Sequence, residues 1–135
     1  MLIYLDTHVV AWLYSDLTDK LTDLAKTLIN DNEVYISAIV RLELQYLYEI
    51  KRITDEPDVI ISNLSEEIGL KICNKNFNDI ICVTLTITWT RDPFDRIITA
   101  NALLNLKGRR YQLKRRFYKL HSINTFFIII TFTGI

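Results

Sequence analysis

Cysteine, glycine and proline are all scarce in this chain, with two, three and two copies among 135 residues. The two cysteines, Cys73 and Cys82, lie in apolar stretches without a CxxC pair or a partner histidine, which argues against a disulfide framework and against a zinc site. Few glycines and prolines, together with 50% hydrophobic residues, exclude a disordered, collagen-like or loop-rich secreted protein. The length fits one globular domain with a single core, and therefore one active site.

Long hydrophobic runs are also absent. The longest apolar run, residues 126–132, is much shorter than the roughly 20 residues that a membrane-spanning helix requires. The first residues lack the basic region and the apolar stretch of an export signal. We therefore expect a cytoplasmic protein without a membrane span.

Acidic residues are missing after Asp95, although the net charge of the whole chain is zero. Residues 1–100 contain all 16 acids and nine bases, whereas residues 101–135 contain seven bases and no acid. Such an asymmetry can mark a basic arm that binds nucleic acid, and it can also mark a damaged end of the chain.

Short apolar runs alternate with amphipathic segments along most of the chain. The apolar runs predict three strands, over residues 2–5, 34–36 and 69–73. Periodicity and capping residues predict helices over residues 7–14, 19–30, 38–51 and 58–67, and a further helix that starts at Pro93.

The predicted helix 38–51 and the segment 77–89 are both rich in apolar residues. On the predicted helix 38–51, which Ser37 is suited to cap, one apolar stripe is formed by Ile39, Leu42, Tyr46 and Ile50. Residues 77–89 are ambiguous, because their β-branched side chains favour a strand while their length and apolar spacing allow a helix.

Strands that alternate with helices predict an α/β fold, with a mostly parallel central sheet covered by helices on both faces. Ligands of such sheets bind beyond the carboxyl ends of the strands. Asp6 directly follows the first predicted strand, so its position in the sequence places it at that edge.

Asp6, Glu43 and Asp95 each lie near the end of a predicted buried element, where a lone carboxylate is costly unless it is paired or bound to a cation. Clustered carboxylates without histidine or cysteine favour Mg²⁺ or Mn²⁺ over zinc. Structural alternatives stay open for each acid. Asp6 could cap the next helix, Glu43 could lie on a solvated face, and Asp92 could be only the N-cap before Pro93.

Residues 2–8 (LIYLDTH), 37–44 (SAIVRLEL) and 90–102 (TRDPFDRIITANA) together resemble a PIN domain. More narrowly, they resemble the VapC-like toxins of bacterial type II toxin–antitoxin systems. The resemblance covers roughly the first 105 residues in the right order and spacing, and the DPFDR segment followed by small residues is its most specific part. It implies a PIN-like three-layer α/β/α sandwich in which residues 77–88 are helical.

The resemblance also implies the roles of the acids. Asp6, Glu43 and Asp95 would hold the catalytic Mg²⁺ or Mn²⁺, with Asp92 beside them as a further acid of the catalytic group. Asp95 aligns better than Asp92 as the third ligand, because the third acid of the family lies just before the helix that contains Ala100.

Other polar residues near these acids have less defined roles. Thr7 would hold a metal-bound water through its hydroxyl. Arg91 and Arg96 are close enough in sequence to contact phosphate, and Arg96 could equally pair with a structural acid. His8 is interpreted as a surface or packing residue rather than a general base.

The function that the resemblance implies is metal-dependent hydrolysis of RNA phosphodiester bonds by an endoribonuclease. The enzyme would be the toxin of a toxin–antitoxin pair, restrained by a cognate antitoxin that covers its site. Relatives of this kind often form homodimers.

The end of the chain departs from the family, whose members typically continue into a strand with a Thr-x-Asp segment that supplies a fourth acid. We therefore divide the chain into a PIN-like nuclease domain, residues 1–105, and a divergent tail, residues 106–135, that is first basic and then apolar and whose last strands are missing or altered. The tail is either a genuine variant whose bases bind RNA phosphates, or the product of a reading-frame change near Asn105. The alternative function is a catalytically impaired PIN-domain remnant that binds RNA or antitoxin without cleaving.

Overall fold

The structure, a computed structural model, describes residues 2–104, 119–122, 125–128 and 130–132. Within these residues the helices are α1 (Thr7–Tyr14), α2 (Asp23–Asp31), α3 (Ala38–Glu49), α4 (Pro57–Ile68), α5 (Phe77–Thr84) and α6 (Pro93–Leu103). The strands are β1 (Leu2–Tyr4), β2 (Glu33–Ile36), β3 (Lys71–Ile72), β4 (Lys119–Ser122), β5 (Thr125–Ile128) and β6 (Ile130–Phe132).

The main sheet has the strand order β3-β2-β1-β6. β1 pairs in parallel with β2, and β2 pairs in parallel with β3, whereas β6 lies antiparallel on the other side of β1. The predicted mostly parallel sheet is therefore confirmed, and the carboxyl ends of β1, β2 and β3 lie along one edge. β4 and β5 form a separate antiparallel pair.

Helices cover both faces of this sheet. Successive side chains of a strand point to opposite faces, so β1 contacts helices on each side. Ile3 and Leu5 on one face of the sheet pack into the main hydrophobic core, which also contains Val9 of α1 and Leu64 of α4. Tyr4 on the other face packs against Ala102 of α6. This arrangement confirms the α/β fold predicted from the sequence.

The end of the chain takes part in the sheet where the structure describes it. Residues 130–132 of the predicted tail pair with β1, so that Phe132 lies opposite Leu2 and Ile130 lies opposite Tyr4. The basic segment of the tail, residues 107–116, lies outside the described residues. Its contact with RNA phosphates, the division of the chain near residue 105 and the reading-frame change stay predictions.

Three helices start where the sequence predicts, and two of them have the predicted caps. α1 has the predicted bounds, Thr7–Tyr14. At α3, the hydroxyl of Ser37 accepts a hydrogen bond from the backbone N–H of Ile39. At α6, Asp92 is the N-cap and Pro93 is the first helical residue, as predicted.

Several predicted elements have other bounds, among them one helix and one strand that start later than expected. The helix expected over residues 19–30 is split into a 3-10 turn at Thr18–Lys20 and α2, because Leu21 is extended and buried and Thr22 caps the new helix start. The strand expected over residues 69–73 contains only Lys71–Ile72. It starts late because Gly69 ends α4 in the left-handed conformation, with φ of 71°.

The buried face of α3 is offset from the apolar stripe that the sequence suggested. Leu42, Tyr46 and Ile50 of that stripe are exposed, whereas Val40 and Leu44 are fully buried. α3 is apolar on more than one side, so periodicity alone could not select the face that packs on the core.

α5 is helical, as the resemblance implied, but it ends at Thr84 instead of reaching residue 88. The hydroxyls of Thr84 and Thr86 donate to the carbonyls of Ile81 and Val83, and such local bonds compete with continued helix. In the part of the chain that the structure describes, no helix has the length and apolar character to cross a bilayer.

Candidate active site

Asp6 lies where β1 ends and α1 begins, and the residue is only 7% exposed. It has the N-cap position of α1, yet its carboxylate makes no capping hydrogen bond. Its Oδ2 atom lies instead 3.3 Å from Nδ1 of His8. The Asp6 carboxylate therefore does not act as a helix cap. It is a buried acid at the ligand-binding edge of the sheet.

Glu43 lies two turns into α3 and is half-buried. The hydroxyl of Thr7 donates a 2.9 Å hydrogen bond to its Oε1 atom. Because Thr7 directly follows Asp6, this bond brings the second acid to the carboxyl end of β1. The solvated-face alternative for Glu43 is therefore wrong.

The ionisation of Glu43 reflects this crowded environment. The pKa of Glu43 is raised to about 7, mainly by burial. The nearby charges of Asp6 and Asp92 act in the same direction, whereas the bond from Thr7 and the charge of His8 oppose it. A carboxyl group that is reluctant to ionise next to other acids is typical of a site that a cation stabilises.

Asp92 and Asp95 approach the same place from the start of α6. One oxygen of Asp92 accepts hydrogen bonds from the backbone N–H groups of Phe94 and Asp95, at 2.8 and 3.1 Å. Asp92 is therefore the N-cap of α6, as one interpretation of the sequence predicted. Asp95 is half-buried, and its charge contributes to raising the pKa of His8. The charge of Asp92 thus acts on Glu43 and that of Asp95 acts on His8. Thr7 and His8 bond to the carboxylates of Glu43 and Asp6.

The two arginines beside these aspartates differ. Arg91 is exposed on the loop before α6. Arg96 donates from Nε to the carbonyl of Thr90 over 2.8 Å, a bond that neither of its sequence alternatives, phosphate or a structural acid, had included. Arg96 therefore fixes the loop that carries Arg91 and Asp92.

His8 extends the site along α1. Its side chain is 54% exposed, in keeping with the predicted surface residue, but its bond to Asp6 was not foreseen and raises its pKa. The imidazole also lies against Trp12, with 6.4 Å between ring centroids, and Lys20 Nζ lies 5.4 Å from the centroid of the Trp12 ring. The spacing of His8 and Trp12, four residues apart on a helix, is the signal that could have revealed this contact.

A buried polar network one strand further along the sheet was also missed. Ser37 donates a 2.8 Å hydrogen bond to Oδ1 of Asn101, and Lys75 donates to the carbonyl of Asn101 at 2.9 Å and to the hydroxyl of Tyr4 at 3.2 Å. Burial lowers the pKa of Lys75 to about 8. The sequence signal was Asn101 itself, a polar residue within an apolar helix face.

The donor atoms fit a hard divalent cation only in part. Among residues 2–104 and the described strands that follow, no three His, Cys, Asp or Glu side chains converge closely enough to hold a metal ion. Asp6 and Glu43 nevertheless lie close enough for the charge of Asp6 to act on the Glu43 carboxyl group. Mg²⁺ usually binds one or two carboxylates while it keeps several waters and substrate oxygens. This pair fits such an ion.

The structure is an α/β sandwich with acidic side chains at the carboxyl end of its first parallel strand, the edge at which such folds bind their ligands. The sequence model of the PIN domain family matches residues 3–105. The chain therefore belongs to the PIN domain family, whose members are in general nucleases and typically use divalent metal ions. No curated protein and no solved structure matches the chain.

Proposed function

We propose that this protein is a Mg²⁺-dependent endoribonuclease that hydrolyses RNA phosphodiester bonds. The observation that carries the proposal is the 2.9 Å hydrogen bond by which Thr7, the residue after Asp6, holds Glu43 at the ligand-binding edge of a PIN domain. Asp6, Glu43 and Asp95 are the proposed metal ligands, and Mn²⁺ would serve in place of Mg²⁺.

A divalent ion held by these acids would supply a more acidic water and would neutralise charge on the phosphate oxygens. The protein contributes the arrangement of the oxygens. Thr7 holds one oxygen of Glu43 in place, and His8 orients the carboxylate of Asp6. Asp92 caps α6 and so fixes the backbone of Asp95. In the overall hydrolysis, water adds to phosphorus, the phosphorus–oxygen ester bond breaks, and the departing oxygen takes up a proton.

Purified protein tests the proposal directly. We expect RNA cleavage that needs Mg²⁺ and that is abolished in Asp6→Asn and in Asp95→Asn. Asp79→Asn, which changes an exposed acid on α5, is the matched control and should cleave as the native chain does. Cleavage that survives both active-site substitutions would refute the assignment of the acids.

We further propose that the enzyme acts in the cytoplasm as the toxin of a toxin–antitoxin pair. The support is the resemblance of the LDTH and DPFDR segments to VapC-like toxins. Expression of the native chain should arrest growth, and Asp6→Asn should not. A small gene next to the toxin gene should encode an antitoxin that restores growth and co-purifies with the chain. The homodimer common among relatives stays a prediction.

A catalytically impaired remnant is the second candidate. It is favoured by the lack of three converging metal-binding side chains among the described residues and by the lack of any acid after Asp95 in the sequence. In that case the purified protein would bind RNA or antitoxin, and added Mg²⁺ would produce no cleavage. The cleavage assay with the native chain separates the two candidates.

A further inference from the structure

A row of side chains runs outward from the acidic pair along α1, and the proposed chemistry leaves most of it unused. His8 contacts Asp6 at its inner end, Trp12 lies behind His8, and Lys20 of the following 3-10 turn lies over Trp12. We call His8, Trp12 and Lys20 the α1 strip.

The strip combines an accessible ring with support from behind. Half of the His8 side chain is exposed, while Trp12 is partly buried and packs against the main core. The two rings are tilted by 50° with centroids 6.4 Å apart, a spacing within the range of favourable aromatic contacts. Trp12 therefore limits the orientations of the imidazole, and a planar group that stacks on His8 would meet a ring already held in place.

The acids next to the strip cannot bind RNA by their own charge, so the substrate needs another binding surface. Two carboxylates and the nearby aspartates repel the RNA backbone, so the charge of the acids cannot retain the substrate. Proteins hold single-stranded nucleic acid by stacking bases on aromatic rings and by placing cations along the backbone. The α1 strip offers a ring at His8 and a cation at Lys20, whose ammonium group lies 5.4 Å from the Trp12 centroid.

We propose that the α1 strip is a subsite that stacks one unpaired base of an RNA strand on His8, next to the Asp6–Glu43 pair. The subsite rests on the proposed ribonuclease function. A base can stack on a side chain only after it leaves the base stack of a duplex, so the nucleotide that His8 holds must be unpaired.

Binding can be measured without cleavage, in EDTA, by fluorescence anisotropy of a short labelled single-stranded RNA. A series of variants of this oligonucleotide, each lacking the base at a different position, locates the nucleotide that stacks. We expect His8→Ala to weaken binding at least about fivefold, as loss of one stacked base does. Removal of the stacked base should weaken binding to the native chain by a similar factor.

The decisive result is the combination of the two changes. If the missing base is the one that stacks on His8, the native chain and His8→Ala should bind the oligonucleotide without that base equally well. His8→Phe keeps a stacking ring and loses the bond to Asp6, so it should bind within about twofold of the native chain. Phe77→Ala, which removes an exposed ring from α5, is the control and should not change binding.

Three results would overturn the subsite: native affinity in His8→Ala, additive losses for every missing base, or equally tight binding of duplex RNA. Each of them is independent of cleavage. A chain that couples His8 to one base yet never cleaves RNA would contradict the nuclease proposal and support the subsite. A chain that cleaves RNA without this coupling would do the reverse.

Discussion

The hydroxyl of Ser37 donates a 2.8 Å hydrogen bond to the side-chain oxygen of Asn101, and both residues are buried. Ser37 is the N-cap of α3, which carries Glu43, and Asn101 lies on α6, which carries Asp95. The bond therefore joins the two helices that bring acids to the site. It is a long-range contact, 64 residues apart in sequence.

Breaking this bond should destabilise the fold. We expect Asn101→Ala to lower the free energy of unfolding by about 1 to 3 kcal/mol, because the hydroxyl of Ser37 loses its partner inside the protein. Urea denaturation measures the loss. Ser62→Ala, at an exposed position of α4, should stay within about 0.5 kcal/mol of the native chain.

The double variant tests whether the two residues act as a pair. Ser37→Ala and Asn101→Ala together should cost less than the sum of the single changes, because either one alone already breaks the bond. Strict additivity would show that the two residues contribute separately, and the proposed link between α3 and α6 would then be wrong.

Gly69 allows a second, independent stability test. Its φ of 71° is the left-handed conformation that ends α4, and an added Cβ would meet no atom within 4 Å. Gly69→Ala should therefore cost about 1 to 2 kcal/mol through backbone strain alone. Gly69→Asn should cost less, because asparagine tolerates this conformation better. Equal urea midpoints for the native chain and Gly69→Ala would contradict this explanation.

The lowered pKa of Lys75 predicts that the free energy of unfolding depends on pH. Burial lowers its pKa from 10.5 to about 8 in the folded protein. Between these values the unfolded chain binds the proton and the folded protein does not, so stability rises with pH across this window. Below about pH 8 the folded protein carries the full cost of the buried charge, and above about pH 10.5 the cost is absent.

Lys75→Met should remove this rise, so the difference in unfolding free energy between the native chain and the variant should change across the window. Chemical denaturation at about pH 7 and about pH 10.5 measures the difference, in which the titration of other groups largely cancels. Lys71→Met, at an exposed lysine of β3, is the control and should track the native chain. A difference between native chain and Lys75→Met that is constant with pH would contradict the prediction.

Local signals in the sequence were sufficient for much of the fold. The apolar run before Asp6, the cap at Ser37 and the Asp92-Pro93 pair each predict an element boundary from residues within one turn of it. Those signals also place the first acid at the edge of the sheet, because a strand that ends at an acid fixes where that acid lies.

Other features of the fold could not be predicted from local signals, because contacts between distant segments determine them. The buried face of α3 depends on the packing of Val40 and Leu44 in the main core, and its apolar residues on other sides gave competing patterns. The bond between Ser37 and Asn101 likewise depends on how α3 and α6 are placed. The end of α5 at Thr84 depends on side-chain bonds to the backbone, which propensities describe only as averages.

Thr7 gives the sharpest test of the site. Its hydroxyl donates to Glu43 and lowers the pKa of that carboxyl group, opposing the effect of burial. Thr7→Val keeps the shape of the side chain and removes the donor, so Glu43 should be less well oriented and less readily ionised. Residues that orient metal ligands typically contribute about 10-fold or more to metal affinity or activity. We therefore expect the Mg²⁺ concentration for half-maximal RNA cleavage to rise by about tenfold, with Thr7→Ser, which keeps the hydroxyl, close to the native chain. An unchanged Mg²⁺ midpoint in Thr7→Val would mean that the bond to Glu43 does not position a metal ligand.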